Sequence, residues 1–174
     1  MGRKAAHLAL DELGADSTRP VLVGTYRDPV WPHGIVGSIT HTSDLAAALV
    51  AWADRTDGVG IDAEHIRHAP ELEAHVPIVE ERRWLDETEP SVRARELIAL
   101  FSAKEAVFKA FYPRVGRFFG FDAASLRPAR GGFRARLIDE SLDVEYPPTR
   151  IFRVGSTWFG DTVLSWLLLP APGR

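Results

Sequence analysis

Phe101-Ser102-Ala103-Lys104-Glu105-Ala106-Val107-Phe108-Lys109, read with Gly60-Ile61-Asp62-Ala63-Glu64, sets three carboxylates and two lysines in an otherwise apolar framework. Asp62 and Glu64 are two positions apart, which puts both on one face of a β-strand. Glu105 and Lys109 are four apart, which stacks them on one face of a helix. Three carboxylates able to converge beside a lysine suit Mg²⁺ holding a phosphate-bearing ligand, because magnesium takes oxygen ligands and binds through a few carboxylates plus substrate phosphates. Each half alone has a plainer reading. Asp62 and Glu64 by themselves are the solvated face of an edge strand, and Glu105 with Lys109 is an ordinary i,i+4 surface pair.

Working outward, Leu97, Phe101, Lys104/Glu105, Phe108 and Tyr112 follow helical spacing. They predict a helix over residues 91–111, with Ser91 as N-cap and Pro113 beyond its end. Residues 59–66 read as the strand carrying Asp62 and Glu64. Upstream, residues 5–13 read as a helix stopped by Gly14, 21–24 as a short strand and 26–34 as a Pro/Gly loop. Residues 35–41 and 45–53 form two strands joined by a polar turn. A further helix is expected near 77–84. The tail reads as strands over 133–138, 151–158 and 162–169, with Gly160-Asp161 turning the last two into a hairpin. Helix then strands, followed by helix then strands, is an α+β order and not an alternating α/β one.

The 174 residues suffice for a buried core, as one domain or two small subdomains. A net charge of -3 with both signs interspersed argues against nucleic acid as a partner. No apolar run reaches membrane-spanning length, and the N-terminus shows no signal-peptide core, so a cytoplasmic protein without a membrane partner is expected. With no cysteine, disulfides and thiolate–zinc sites are excluded. His65, His68 and His75 match no zinc spacing and read as solvated loop residues. The five tryptophans read as core or cleft-wall aromatics. Arg114, Arg117 and Phe118-Phe119 read either as a partner-facing patch or as a packed aromatic corner.

The pairing of G-I-D-x-E at 60–64 with F-S-x-K-E-x-x-x-K at 101–109 resembles the 4'-phosphopantetheinyl transferases of the surfactin and enterobactin type. Three further blocks agree, in order: Gly2-Arg3-Lys4-Ala5-Ala6-His7 with Leu10 and Leu13-Gly14; Trp31-Pro32-His33-Gly34-Ile35-Val36-Gly37-Ser38-Ile39-Thr40-His41; and Arg117-Phe118-Phe119-Gly120-Phe121-Asp122-Ala123-Ala124. The last is similar to a stretch of actinobacterial members. Phe101 stands where tryptophan is more widespread.

The resemblance implies two subdomains related by a pseudo-two-fold axis, each with an antiparallel sheet and a packed helix, and an active site in the cleft between them. A division at Asp57/Gly58 is expected, with residues 58–174 carrying most of the metal site and residues 1–57 looking shortened. It further implies that coenzyme A donates its phosphopantetheine arm to a serine of an apo acyl or peptidyl carrier protein, as in siderophore and other nonribosomal peptide synthesis. By position, Asp62, Glu64 and Glu105 would hold Mg²⁺, and Lys109 would contact the pyrophosphate. Arg3, Arg27, Thr40 and His41 would meet the nucleotide end of coenzyme A. Glu105 is also a candidate base for the serine, directly or through a metal-bound water; the sequence leaves both open. Members usually carry several dozen residues before the Arg3 helix, so this chain is expected to be a shortened variant or a piece of a longer product. A monomer is expected. A non-catalytic module that binds coenzyme A or carrier proteins is the alternative.

Overall fold

The computed structural model describes all residues except 26, 27, 143, 148 and 172–174, and all their side chains except those of residues 70 and 71. Helix α1 (Gly2–Leu13) ends at Gly14, whose left-handed φ of 75° frees the chain to turn back. Two short strands, β1 (Leu22–Val23) and β2 (Pro29–Val30), pair with each other. Strands β3 (Ile35–His41) and β4 (Ala46–Trp52) form an antiparallel hairpin that packs on α1. Then come β5 (Thr56–His65), the one-turn α2 (Ala69–Leu72), α3 (Val79–Glu87) and the 26-residue α4 (Pro90–Val115). The chain closes with β6 (Ala124–Ala129), β7 (Gly132–Leu137), β8 (Phe152–Phe159) and β9 (Thr162–Pro170).

Five strands form one antiparallel sheet in the order β5-β9-β8-β7-β6, and α4 lies against one face. The fold is the expected α+β one. A helix on antiparallel strands occurs twice, unequally: a two-stranded half with its own small core around Ala6, Leu10, Val21 and Ile35, and a five-stranded half with the main core. No described helix is long and apolar enough to cross a membrane.

Two expectations are corrected and one strand is added. Ser91 is not the N-cap of α4; Glu89 is, and its carboxylate accepts the Ser91 amide at 3.2 Å. Pro113 lies inside α4, whose stop is Gly116 at φ 66°. The proline gives up one backbone hydrogen bond, but the last turn is held from outside by an ion pair from Arg114 to Asp57. Strand β6 escaped the sequence reading because Pro128 breaks its pattern. As the edge strand of the sheet it tolerates the missing donor.

The β5–α4 contact is built for closeness. A Cβ on Gly60 would lie 1.8 Å from the Ala106 carbonyl oxygen, and one on Gly58 would lie 2.2 Å from that of Ala110. Ala103, Ala106 and Ala110 are fully buried. Two glycines on the strand and three alanines on the helix therefore bring backbone against backbone. One face of α4 also carries a buried ion pair: Lys104 Nζ lies 2.7 Å from Glu81 Oε2, with both side chains 1% exposed. Lys104 also donates to the carbonyls of Phe121 (2.7 Å) and Ala124 (3.1 Å). Glu81 accepts the amides of Ile78 (2.9 Å) and Leu126 (2.8 Å). Burial pushes the Lys104 pKa down, and Glu81 is what opposes it. Such a pair tolerates burial because every polar atom is satisfied.

Gly60→Ala should therefore destabilise the protein by about 3 kcal/mol, the upper range for forcing atoms into a packed interior, as read by urea unfolding. Lys104→Met should cost about 3–5 kcal/mol, because it leaves Glu81 charged and buried. Lys104→Met/Glu81→Leu should recover part of that loss in the same measurement. A double variant no more stable than the single one would show that the uncompensated Glu81 charge is not the cause.

Candidate functional site

The seam between β5 and α4 sets the site. Past Gly60, the next inward residue of β5 is Asp62, and the next along the α4 stripe from Ala106 is Lys109. Lys109 Nζ lies 2.7 Å from Asp62 Oδ1 and donates to the Ile61 carbonyl at 3.2 Å. Ser102, one turn back on α4, donates to the Asp62 carbonyl at 3.2 Å. Asp62 is 3% exposed, and its Oδ2 is buried without a hydrogen-bond partner among the described residues.

The second wall comes from β3. No backbone ladder joins β3 to β5. Instead the Ser38 and Thr40 hydroxyls accept the amides of Ile61 (3.2 Å) and Ala63 (3.0 Å). Thr40 also donates weakly to Asp62 Oδ1, at 3.4 Å. These hydroxyls satisfy amides on the free edge of β5 that would otherwise be buried unpaired, a cost comparable to a lost hydrogen bond.

Glu105 and Glu64 complete an acidic group. Burial, then the charge of Asp62, pushes the Glu105 carboxyl up to about 7; Glu64 adds to the rise and Lys109 opposes it. Glu64 is also raised, by burial first and Asp62 second, while His68 and Lys109 relieve it. The three carboxylates therefore feel one another, with one nearby ammonium to offset them. They are not drawn into a ready-made cage: among the described residues no three His, Asp or Glu side chains meet a metal-holding arrangement. Asp62 faces Lys109, and Glu64 faces His68 Nδ1 at 3.2 Å. The partnerless Asp62 Oδ2 and an all-oxygen donor set nevertheless fit a hard divalent cation.

At the other side, Arg3 donates to the Leu22 carbonyl at 2.8 Å. His41 is exposed at the end of β3. Thr40 is buried with its hydroxyl engaged in the β3–β5 joint, a structural task that spacing alone did not reveal. Arg27 lies outside the described residues. His68 was read as a solvated loop residue, yet it pairs with Glu64; their i,i+4 spacing was the available signal, hidden by the change from strand to turn between them. The aromatic corner is packed: Phe119 is buried against Phe108, while Phe118 is 77% exposed. Arg114 and Arg117 are tied to Asp57 and Ser141 and do not form a free patch. Beside Glu105 this corner walls a pocket of about 190 Å³, lined by Val107, Phe108, Phe118, Phe119 and Phe121.

A family model described as the 4'-phosphopantetheinyl transferase N-terminal domain matches residues 1–51, and one for the 4'-phosphopantetheinyl transferase superfamily matches residues 58–149. The chain is 41% identical to a 4'-phosphopantetheinyl transferase of Nocardia iowensis, over 71% of this chain and 55% of that protein. It is 35% identical to the 4'-phosphopantetheinyl transferase PptT of Mycobacterium tuberculosis, over 87% of this chain and 69% of that protein. The chain thus spans little more than half the length of the Nocardia relative. Among solved structures, the acyl carrier protein synthase of Mycobacterium tuberculosis superposes with a TM-score of 0.50 at 31% identity, over 66% of this chain and 97% of that one.

The raised Glu105 carboxyl has a stability consequence. Its folded-state pKa of about 7 lies above the unattached value of 4.5, so the native state binds the extra proton between those values. Its contribution is fully present below the lower pKa and is lost as pH rises through the higher one. Glu105→Gln, which mimics the protonated form, should stabilise the cation-free protein at pH 8 and change it little near pH 4.5. Urea unfolding at both values reads this directly. An equal effect at both would mean that the Glu105 carboxyl is not raised.

Proposed function

The chain belongs to the 4'-phosphopantetheinyl transferase superfamily, and from that premise we propose that it moves the 4'-phosphopantetheine arm of coenzyme A onto a serine of an apo acyl or peptidyl carrier protein. The serine oxygen bonds to the pantetheine-side phosphorus of the pyrophosphate. The bond from that phosphorus to the bridging oxygen breaks, and adenosine 3',5'-bisphosphate leaves. The observation that carries the reading is the junction of Asp62, Glu105 and Lys109 across the β5–α4 seam, with Asp62 Oδ2 left unpaired.

In this reading Asp62, Glu64 and Glu105 would hold Mg²⁺. When bound, Mg²⁺ supplies Lewis-acid charge neutralisation to a pyrophosphate oxygen. Lys109 neutralises a second oxygen as a point charge; its ammonium already sits at the site and is partly exposed. Glu105 takes the serine proton, and a carboxyl with a pKa near the working pH is suited to that task. Arg3, Arg27 and His41 meet the nucleotide end of coenzyme A, and Thr40 holds β3 against Asp62 while contributing to that end. The chemistry is mostly charge neutralisation and positioning. A cytoplasmic monomer divided at Asp57/Gly58 is part of the same proposal; the chain passes from the two-stranded to the five-stranded sheet between Trp52 and Thr56, just before that point, and Asp57 and Gly58 lie within β5.

One observation favours a second reading, a non-catalytic module that binds coenzyme A or a carrier without transferring the arm: among the described residues the carboxylates are not drawn into a metal-holding arrangement. One experiment separates the two: intact mass of an apo peptidyl carrier domain after incubation with this chain, Mg²⁺ and coenzyme A, with an EDTA control. A metal-dependent gain of one phosphopantetheine is expected, and it should fall by about 10²–10³-fold in Lys109→Ala and vanish in Asp62→Asn. No gain across several carriers, with folding verified, would sink the enzymatic reading.

A further inference from the structure

The face of the five-stranded sheet turned away from α4 holds an arrangement that the proposed reaction does not use. In β6–β8 the inward residues Leu126, Phe133, Ala135, Phe152 and Val154 are buried, and the alternate residues point outward. Four of the outward residues are exposed arginines: Arg127, Arg134, Arg136 and Arg153. The register sets Arg127 opposite Arg134 and Arg134 opposite Arg153, so three guanidinium side chains form a row across three strands. Ser125 stands opposite Arg136. None of the four arginines has a hydrogen-bond or ion-pair partner among the described residues.

The chain carries more acidic than basic side chains, and arginines such as Arg93 and Arg114 use them, Arg93 with Glu73 and Asp86, Arg114 with Asp57 and Glu145; those of the row do not. Like charges placed directly opposite in a sheet are destabilising, and among the described residues no carboxylate pairs with them. Beside three of them runs a groove of about 450 Å³ lined by Ser125, Arg127, Arg134, Arg136, Thr149 and Ile151. It offers guanidinium forks and hydroxyl donors with no carboxylate.

We propose that this face docks an acidic helix of a partner protein, laid across β6, β7 and β8 with its carboxylates over the Arg127–Arg134–Arg153 row. The pitch carries the choice of occupant. Directly opposed residues of neighbouring strands stand roughly 5 Å apart, and carboxylates at every third or fourth position of a helix stand about 5–6 Å apart on one stripe. Guanidinium forks match carboxylates bidentately. Other anions fit less well. No aromatic side chain lines the groove to stack a base, and the net charge of the chain is -3, which disfavours a nucleic acid. A groove also receives a rod better than it receives the plane of a bilayer. The proposal stands apart from the transferase reading and survives or fails without it.

The test is fluorescence anisotropy at about 0.15 M salt, where long-range attraction is screened. The probes are a synthetic helical peptide with one stripe of Glu, a peptide of the same composition with Glu spread around the helix, a single-stranded RNA and phosphatidylserine vesicles. The striped peptide should bind about tenfold tighter than the spread one. Arg127→Glu/Arg134→Glu should lose about tenfold in affinity and prefer a Lys-striped peptide instead, reflecting the cost of like-charge juxtaposition. Arg127→Gln/Arg134→Gln, a milder pair, should show an intermediate loss, with circular dichroism confirming the fold of both variants. Equal binding of the two Glu peptides, no binding of either, indifference to the substitutions, or tighter binding of RNA or vesicles would each overturn the proposal.

Discussion

The approach of β5 to α4 through Gly58, Gly60, Ala106 and Ala110 is the constraint on which the rest of the molecule depends. A strand normally stands off a helix by the depth of two layers of side chains. Here one layer is reduced to hydrogen and methyl groups, so the strand backbone meets helix carbonyls. Just beyond the close contact, polar side chains of α4 bridge the gap to β5. Ser102 reaches the Asp62 carbonyl and Lys109 reaches the Asp62 carboxylate. With a wider separation both would fall short, and the acidic group on the strand would lose its helix partners.

That closeness also explains the electrostatics. Asp62 is almost completely buried. Lys109 and the Thr40 hydroxyl compensate on one oxygen and leave the other bare. Glu105 is relieved only by the charge of Lys109, and burial with the charge of Asp62 pushes its carboxyl up to about 7. One lysine offsets the charge of three carboxylates incompletely, so the cleft is short of positive charge. A cation, or a ligand that brings one, relieves that imbalance. This charge shortage, and not a preformed cage of ligands, is what recommends the site for metal-assisted chemistry.

Much of the fold was legible because each of its longer elements keeps to one period, that of a helix or that of a strand. The repeat from Leu97 to Tyr112 marked α4, and the alternating runs marked the β3–β4 and β8–β9 hairpins. Strand β6 was not legible, because its sequence carries a proline that only an edge position excuses. The site was legible as residue types but not as partnerships. Nothing local ties Lys104 to Glu81, Lys109 to Asp62 or Thr40 to the Ala63 amide; these pairs lie 23, 47 and 23 positions apart. Such pairings depend on how strands stack in space, and one sequence read along its length carries no record of that.

Strand β5 has its only backbone ladder, among the described residues, with β9, from Thr56↔Pro170 to His65↔Thr162. The strand that bears Asp62 and Glu64 thus waits for a partner made at the far end of the chain. Contacts of such long separation form late and slowly, because a large loop must close before they return any stabilisation. During synthesis the hairpin β6–β7 and helix α4 can form on the ribosome, while β5 has only its side-chain joint to β3 and its packing on α4 until β9 emerges. A chain interrupted shortly before β9 would keep its local hairpin and helix while leaving the strand of Asp62 and Glu64 without its backbone ladder.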